Sequence, residues 1–139
     1  MQREEKGSTE LKSLEELRAF EPRRVAVQLA VQLAVHCLAL SGELPHDEQQ
    51  NLAEQIRRSA VSVASNIAEG FGRRSPRGYA HYIMIAHASL LELDTQLEIA
   101  LTAGYLAGDD LQQVRPLVDR VTALLRDIVR DLGPLAATE

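Results

Sequence analysis

Apolar residues recur at intervals of three and four along most of the chain, a spacing that places them on one face of an α-helix. Segments that contain Gly, Pro or acidic residues separate three such series. The three series are Leu52, Ile56, Ala60, Val63 and Ile67; Tyr79, Ile83, Ala86, Leu90, Leu93, Leu97 and Ala100; and Val114, Val118, Val121, Leu125, Ile128 and Leu132. Each series predicts a helix whose apolar face packs into a shared core.

A fourth segment, from about residue 23 to residue 40, is apolar around most of its circumference. Its polar positions, Gln28, Gln32 and His36, form one narrow stripe. The apolar arc is wider than one neighbouring helix of the same chain would cover, so we expect part of it to face another subunit. Residues 25–40 are interrupted by these polar side chains and are shorter than the roughly 20 residues of a membrane span. We therefore predict no membrane association.

Capping residues, glycines and prolines predict the helix boundaries. The predicted N-terminal caps are Asp47 with Gln50, Ser75 before Pro76, and Asp109 with Gln112. The predicted C-terminal stops are Ser41 with Gly42, Gly70, Gly104, and Gly133 with Pro134. Because Pro116 lies inside the last series, we expect a kink there or a helix that begins near Arg115.

Four helices joined by short connections predict an all-α fold, an antiparallel up-and-down four-helix bundle. We assign residues 23–133 to the bundle, residues 1–22 to a charged, partly mobile N-terminal tail and residues 134–139 to a C-terminal tail. A length of 139 residues suits one domain, and the absence of Trp indicates an aliphatic core. The single cysteine, Cys37, cannot form an internal disulfide, and no signal-peptide pattern is evident, so we predict a cytoplasmic protein with Cys37 in its core.

Residues 57–78, RRSAVSVASNIAEGFGRRSPRG, carry five arginines and one acid in a chain whose net charge is −5. These basic side chains are the candidate contacts for an anion or for nucleic acid. They are Arg57, Arg58, Arg73, Arg74 and Arg77. Charges beside the N-terminus of the third helix would add to its free backbone N–H groups and favour a phosphate or carboxylate. The alternative is a solvated helix junction, or ion pairs with acids such as Glu69, Glu92 or Asp94 of a neighbouring subunit.

Polar residues in the second and third helices are interpreted as structural or interface groups. They are Ser65, Asn66, Glu69, Glu92 and Gln96. We expect Asn66 and Glu69 to hydrogen-bond the loop backbone and the adjoining helix or subunit, since no nucleophile stands beside them. We predict no catalytic residues, no cofactor and no metal.

A metal hypothesis would depend on the histidines His36, His81 and His87. A di-iron bundle needs Glu-x-x-His on two helices, and the one instance, Glu43 to His46, straddles Pro45 in a loop. The sequence therefore does not favour a metal site.

Residues 55–100, QIRRSAVSVASNIAEGFGRRSPRGYAHYIMIAHASLLELDTQLEIA, resemble the four-helix bundle family called 23S rRNA intervening-sequence proteins, which is related to accessory proteins of diversity-generating retroelements. The most specific parts are SNIAEGFGRRS, residues 65–75, and SLLELDTQLEIA, residues 89–100. The resemblance implies a ring-like homo-oligomer, commonly a pentamer, with no established enzymatic activity. Retroelement relatives are thought to engage nucleic acid and a reverse transcriptase, and those that bind nucleic acid are strongly basic where this chain is acidic.

These observations predict a non-enzymatic, oligomeric bundle that acts as a binding or scaffold module. Its favoured partners are RNA or DNA, or a nucleic-acid enzyme such as a reverse transcriptase, engaged through the five arginines. The alternative is a protein–protein interaction ring with no nucleic-acid role. A small-molecule binder inside the ring is a third class.

Overall fold

The structure, a computed structural model, describes residues 21–137, with side chains from Arg24 onward. These residues form four α-helices: α1, Glu21–Ser41; α2, Leu52–Phe71; α3, Pro76–Thr102; and α4, Val114–Ala136. Two short 3₁₀ turns, His46–Glu48 and Gly108–Leu111, lie in the α1–α2 and α3–α4 connections. The described part contains no strand, so the predicted all-α fold with four helices is confirmed. The tail predicted for residues 1–22 falls almost entirely outside the described residues.

Each helix packs against two neighbours. α1 contacts α2 and α4, and α3 contacts the same two helices, with the most extensive packing between α2 and α3. α1 and α3 therefore lie at diagonal corners of the bundle. Because the connections are short, successive helices run in opposite directions, which gives the predicted up-and-down arrangement.

The core is aliphatic and includes every member of the three apolar series, all of which are buried. From α1 it receives a run of small and medium side chains: Ala26, Leu29, Ala30, Leu33, Ala34 and Cys37. The alanines let α1 approach its neighbours closely, and each fully buried Leu or Ile contributes roughly 1.5–3 kcal/mol. The helical periodicity thus predicted the core correctly.

Length and composition alone would allow α1 to cross a membrane. Over Arg24–Ser41 its mean hydropathy is 1.5, so the argument from length does not by itself exclude a span. The inner side of α1 packs against α2 and α4, and 39% of this window is buried within the bundle. Helices that contribute to a protein core can pass the same test of length and composition, and α1 contributes one of its faces to the core of this bundle.

Two predicted N-terminal caps are wrong. Asp47 lies in the first 3₁₀ turn, and α2 begins at Leu52, whose N–H is 3.4 Å from Glu48 Oε2. Before α4, it is Asp110 that accepts a hydrogen bond of 2.7 Å, from the backbone N–H of Ala107. In both connections a carboxylate one position further along bonds to the backbone, Glu48 at the first residue of α2 and Asp110 across the second 3₁₀ turn, and the α-helix starts later than predicted.

The cap predicted for α3 is confirmed. Ser75 Oγ accepts a hydrogen bond of 3.0 Å from the N–H of Gly78, and Pro76 occupies the first helical position. α4 begins at Val114, which places Pro116 in its first turn, where no helical hydrogen bond is lost. The expectation of a helix that begins near Arg115 is therefore met.

The C-terminal ends of the helices differ in detail from those predicted. Gly104 is the described glycine with positive φ, at +80°, and Gly42 does not adopt the left-handed conformation expected of it. α2 extends to Phe71, one residue past Gly70. α4 continues through Pro134 to Ala136, because a proline this close to a helix end removes only one terminal hydrogen bond.

Gly70 is buried where α2 meets α3. A Cβ atom at this position would lie 3.4 Å from the carbonyl oxygen of Tyr79 and 3.4 Å from Cβ of Tyr82. The missing side chain lets the end of α2 approach the start of α3, and the rings of Phe71 and Tyr79 meet edge to face beside it, with centroids 5.7 Å apart.

Candidate functional site

The five candidate arginines do not form one cluster. Arg57 and Arg58 lie near the N-terminus of α2, whereas Arg73, Arg74 and Arg77 lie between the end of α2 and the first turn of α3. With a rise of about 1.5 Å per residue, the intervening stretch of α2 separates the two groups by roughly 20 Å. The five candidate contacts are therefore divided between two places on the bundle.

Arg57 is a structural residue. Its Nη2 donates to the carbonyl oxygen of Gln49 at 2.7 Å, and its Nη1 lies 3.3 Å from Gln49 Oε1 and 3.4 Å from Ser41 Oγ. The Gln49 amide in turn donates to the carbonyl oxygens of Ser41 and Leu44, both at 2.9 Å. This half-buried network ties the end of α1 to the start of α2, so the Arg57 guanidinium faces protein.

Arg58 and Arg73 each have an acidic partner on α2. Arg58 Nε lies 3.4 Å from Glu54 Oε1, with an arginine side chain that is 81% exposed. Arg73 Nη2 donates to Glu69 Oε1 at 2.6 Å and to the hydroxyl of Tyr82, and its guanidinium lies 4.3 Å from the centre of the Tyr82 ring. Arg73 therefore fastens the α2–α3 loop to α3 and is largely neutralised.

Arg74 and Arg77 are the exposed arginines beside the N-terminus of α3. Both belong to the segment around Ser75, whose hydroxyl already accepts the N–H of Gly78. Pro76 carries no N–H and the N–H of Tyr79 donates to the carbonyl oxygen of Ser75, so it is the helix dipole that adds partial positive charge beside these arginines. The remaining basic site is thus smaller than the sequence indicated.

Of the predicted structural polar residues, Gln96 and Asn66 make hydrogen bonds with serines of α2. Ser59 Oγ donates to Gln96 Oε1 at 2.8 Å, and the Ser62 and Ser89 hydroxyls are 2.8 Å apart, so α2 and α3 share a polar seam. Asn66 donates from Nδ2 to the carbonyl oxygen and hydroxyl of Ser62, at 2.8 and 2.9 Å. These described partners lie on its own helix, one turn earlier, whereas the loop backbone and the adjoining helix or subunit were the expected partners.

The other members of this set lie on the surface. Ser65, Glu69 and Glu92 are exposed, and Glu69 bonds to the Arg73 side chain rather than to loop backbone. Glu92 remains a candidate interface residue by its position, seven residues from Ile99 and next to Leu91, both exposed apolar residues.

The histidines are dispersed, and among residues 21–137 no three His, Cys, Asp or Glu side chains lie close enough to hold a metal ion. His81 packs edge to face on Tyr82, with ring centroids 5.3 Å apart. His87 differs from the others because its Nε2 is buried without a hydrogen-bond partner in the described residues. Cys37 is fully buried, and its burial raises the pKa of the thiol to about 12, which makes it an unreactive core residue.

Two exposed apolar surfaces lie on α1 and α3. The α1 surface consists of Val31, Val35 and Leu38, which are 48%, 60% and 42% exposed. The α3 surface consists of Met84 and Leu91, 61% and 56% exposed, with the exposed Ala88 between them. Large apolar side chains in contiguous exposed patches mark interaction sites on soluble proteins.

A groove of about 410 Å³ continues the α3 surface toward α4. Its lining residues are Met84, His87, Ala88, Leu91, Leu125, Arg126, Val129 and Arg130. The sequence predicted excess apolar area on α1 but not this groove. The available signal was the seven-residue spacing of Met84 and Leu91, which lie outside the seam of α3.

Comparison with known proteins agrees with the fold. A solved structure described as a protein of unknown function from the S23 ribosomal protein family of Bacteroides thetaiotaomicron superposes with a TM-score of 0.73. The match covers 78% of this chain and 98% of that one, at 21% sequence identity, which supports a common fold. No curated protein sequence matches the chain. The family model of the 23S rRNA-intervening sequence proteins matches residues 24–127, and the chain therefore belongs to that family.

Proposed function

We propose that this protein is a non-enzymatic, self-associating helical bundle that acts as a scaffold for a protein partner. The observation that carries the proposal is the pair of apolar surfaces on α1 and α3, which the folded chain leaves uncovered. Burial of exposed valine, leucine and methionine side chains against a second protein surface is favourable, because it removes their apolar area from water. A ring-like homo-oligomer, a pentamer by the family resemblance, is the assembly that we favour.

The polar side chains between the helices and at their junctions support a structural role rather than catalysis. Ser59, Ser62 and Gln96 bond between helices, and Arg57 and Arg73 fix helix junctions. Such side chains are held by their own fold and would have to leave these partners to act on a substrate. We accordingly propose no catalytic residue. We propose that the protein is located in the cytoplasm.

Nucleic acid, or a nucleic-acid enzyme such as a reverse transcriptase, is a second candidate partner. Arg74 and Arg77 flank the N-terminus of α3, and a ring would repeat this site on every subunit. The acidic net charge of −5 opposes the idea, because phosphate binding draws its affinity from the number of cationic contacts. We therefore rank this candidate below a protein partner.

Light scattering after gel filtration tests self-association. At micromolar concentration the proposal expects a particle several times the 15.3 kDa of one chain. A monodisperse single-chain particle across the accessible concentration range would refute it.

A mobility shift with single-stranded RNA and DNA tests the second candidate. The Arg74→Glu/Arg77→Glu variant should lose binding, while the charge-matched control Arg58→Glu/Arg115→Glu, whose arginines lie at the opposite end of the bundle, should keep it. For every arginine that no longer pairs with a phosphate, the slope of log affinity against log salt should flatten by roughly 0.7–0.9. Equal binding by both variants, or none by the unmodified protein, excludes nucleic acid at this site.

A further inference from the structure

We propose that the α1 surface of one copy docks on the α3 surface and the adjoining groove of the next copy, so that the two surfaces form a single head-to-tail interface. This inference rests on the proposed self-association and names the faces that carry it. The alternatives are an interface that pairs each surface with itself, or a lipid surface that covers α1.

The α1 surface has the composition of an interface centre. From Val25 to Ser41 the helix contains no Asp, Glu, Lys or Arg, so no acidic or basic side chain of this stretch would be buried on docking. Gln28 and Gln32 are also exposed on α1, and their amide groups stand beside the apolar side chains of Val31 and Val35. Depletion of charge at the core of a patch, with polar groups around it, distinguishes interfaces from ordinary protein surface.

The α3 surface and its groove have a composition that suits the α1 surface as an occupant. Its groove is apolar along Met84, Leu91 and Val129, and His87 Nε2 beside it is buried with no partner in residues 21–137. An occupant with hydrogen-bonding groups among apolar side chains suits such a groove, and the α1 surface with its glutamines has that composition. Arg126 and Arg130 at the rim can remain in water, because the occupant brings no charge of its own.

The spacing of the two surfaces also agrees. Val31, Val35 and Leu38 recur at four and three residues. On α3, the positions Met84, Ala88 and Leu91 recur at the same four and three residues. Helices whose exposed rows share this spacing can interlock side chains from one into the gaps of the other.

The positions of α1 and α3 explain why the contact is head to tail. These helices occupy diagonal corners, so their outer faces point away from each other and one chain cannot bring both surfaces together. Pairing each surface with itself would require two unrelated self-complementary contacts. A contact between unlike surfaces covers both with one interface and closes into a ring when the rotation permits.

A mixing experiment tests the inference. Val35→Asp disables the α1 surface and Leu91→Asp disables the α3 surface, while Ala123→Asp, on an exposed part of α4, is the matched control. Each surface variant should be a monomer by light scattering, and the control should keep the wild-type mass. An equimolar mixture of the two surface variants should form a one-to-one dimer that grows no further, since each partner retains one intact surface.

Other outcomes separate this inference from the proposed function. An unmodified protein that is monomeric refutes both. If the wild type is oligomeric and the mixture forms no dimer, like surfaces pair with each other. If both single variants still form oligomers, the interface lies elsewhere. Either result overturns the inference and leaves self-association standing. Circular dichroism confirms folding, with Val31→Asp and Met84→Asp as substitutes for a variant that fails. Sedimentation of the unmodified protein with phosphatidylcholine–phosphatidylglycerol vesicles, abolished by Val35→Asp, would assign α1 to lipid instead.

Discussion

Arg57 Nη2 lies 2.7 Å from the main-chain oxygen of Gln49, so a cation that the sequence presented as a candidate anion contact closes a turn of its own chain. The carbonyl groups of a loop end have no helical partner and must be satisfied by side chains or water. The guanidinium donates to this carbonyl while the Gln49 amide bonds to Ser41 and Leu44. One arginine thereby orders most of the α1–α2 connection.

Arg57→Ala should lower the free energy of unfolding by about 1.5–3 kcal/mol, because it removes charge-assisted hydrogen bonds to a half-buried loop. The neighbouring Arg58→Ala provides the control. Arg58 makes a surface ion pair with Glu54, so its loss should change stability by no more than about 0.5 kcal/mol. Urea unfolding followed by circular dichroism measures both, and equal effects at the two positions would contradict the assignment of Arg57.

Gln96→Ala should lower the free energy of unfolding more than Ser59→Ala does. The Ser59 hydroxyl is in a residue only 5% exposed, and it loses its acceptor when the glutamine is removed. A buried polar group without a partner lowers the free energy of unfolding by about 1–3 kcal/mol, whereas removal of both hydrogen-bonding groups lowers it less. The double variant Ser59→Ala/Gln96→Ala should therefore be less destabilised than the sum of the two single variants, in urea unfolding of all three. Strict additivity would show that this hydrogen bond contributes nothing to the α2–α3 seam.

Gly104→Ala should destabilise the fold by roughly 1–2 kcal/mol, because Gly104 has a φ of +80° that an L-residue with a Cβ adopts at a cost. The control is Gly108→Ala in the same α3–α4 connection. A Cβ at Gly108 meets no atom within 4 Å and its φ is not positive, so alanine there should leave stability unchanged or raise it by about 0.4–1 kcal/mol. Thermal unfolding of both variants should give shifts of opposite sign, or a shift for Gly104→Ala alone; equal losses would refute the argument from φ.

Helix positions and the core were predictable because they depend on a pattern repeated over many residues. One misplaced side chain changes little in a series such as Val114 to Leu132, whose members are all buried. Caps depend on single side chains, and Glu48 and Asp110 act in the loops where Asp47 and Asp109 were expected to act. Local competition among neighbouring acids decides such positions, and spacing does not reveal it.

The candidate basic site was less predictable because proximity in sequence is not proximity in space. About four turns of helix separate Arg57 from Arg73, and each arginine bonds to a residue that periodicity does not identify, Gln49 and Tyr82. The α3 groove was missed for a related reason. The groove exists only because α4 places Val129 beside Met84 and Leu91.

Cys37 should make the protein less stable in alkali than a variant without the thiol. Burial raises the pKa of this thiol from 9.0 to about 12. Below pH 9 it is protonated in both the folded and the unfolded chain and has no effect on the pH dependence. Between pH 9 and 12 only the unfolded chain releases the proton, so unfolding becomes easier by up to about 1.36 kcal/mol for each pH unit.

The difference between the unmodified protein and Cys37→Ala isolates this contribution, since every other titrating group is common to both. Urea unfolding under reducing conditions at pH 8, 9 and 10 should show the unmodified protein losing stability more steeply above pH 9, whatever the offset that the smaller alanine side chain introduces at pH 8. A thiol reagent such as dithionitrobenzoate should likewise react with Cys37 only when urea unfolds the chain. Parallel pH profiles, together with rapid labelling of the folded protein, would mean that the thiol is open to solvent and that α1 packs less tightly on the bundle than its alanine-lined inner face implies.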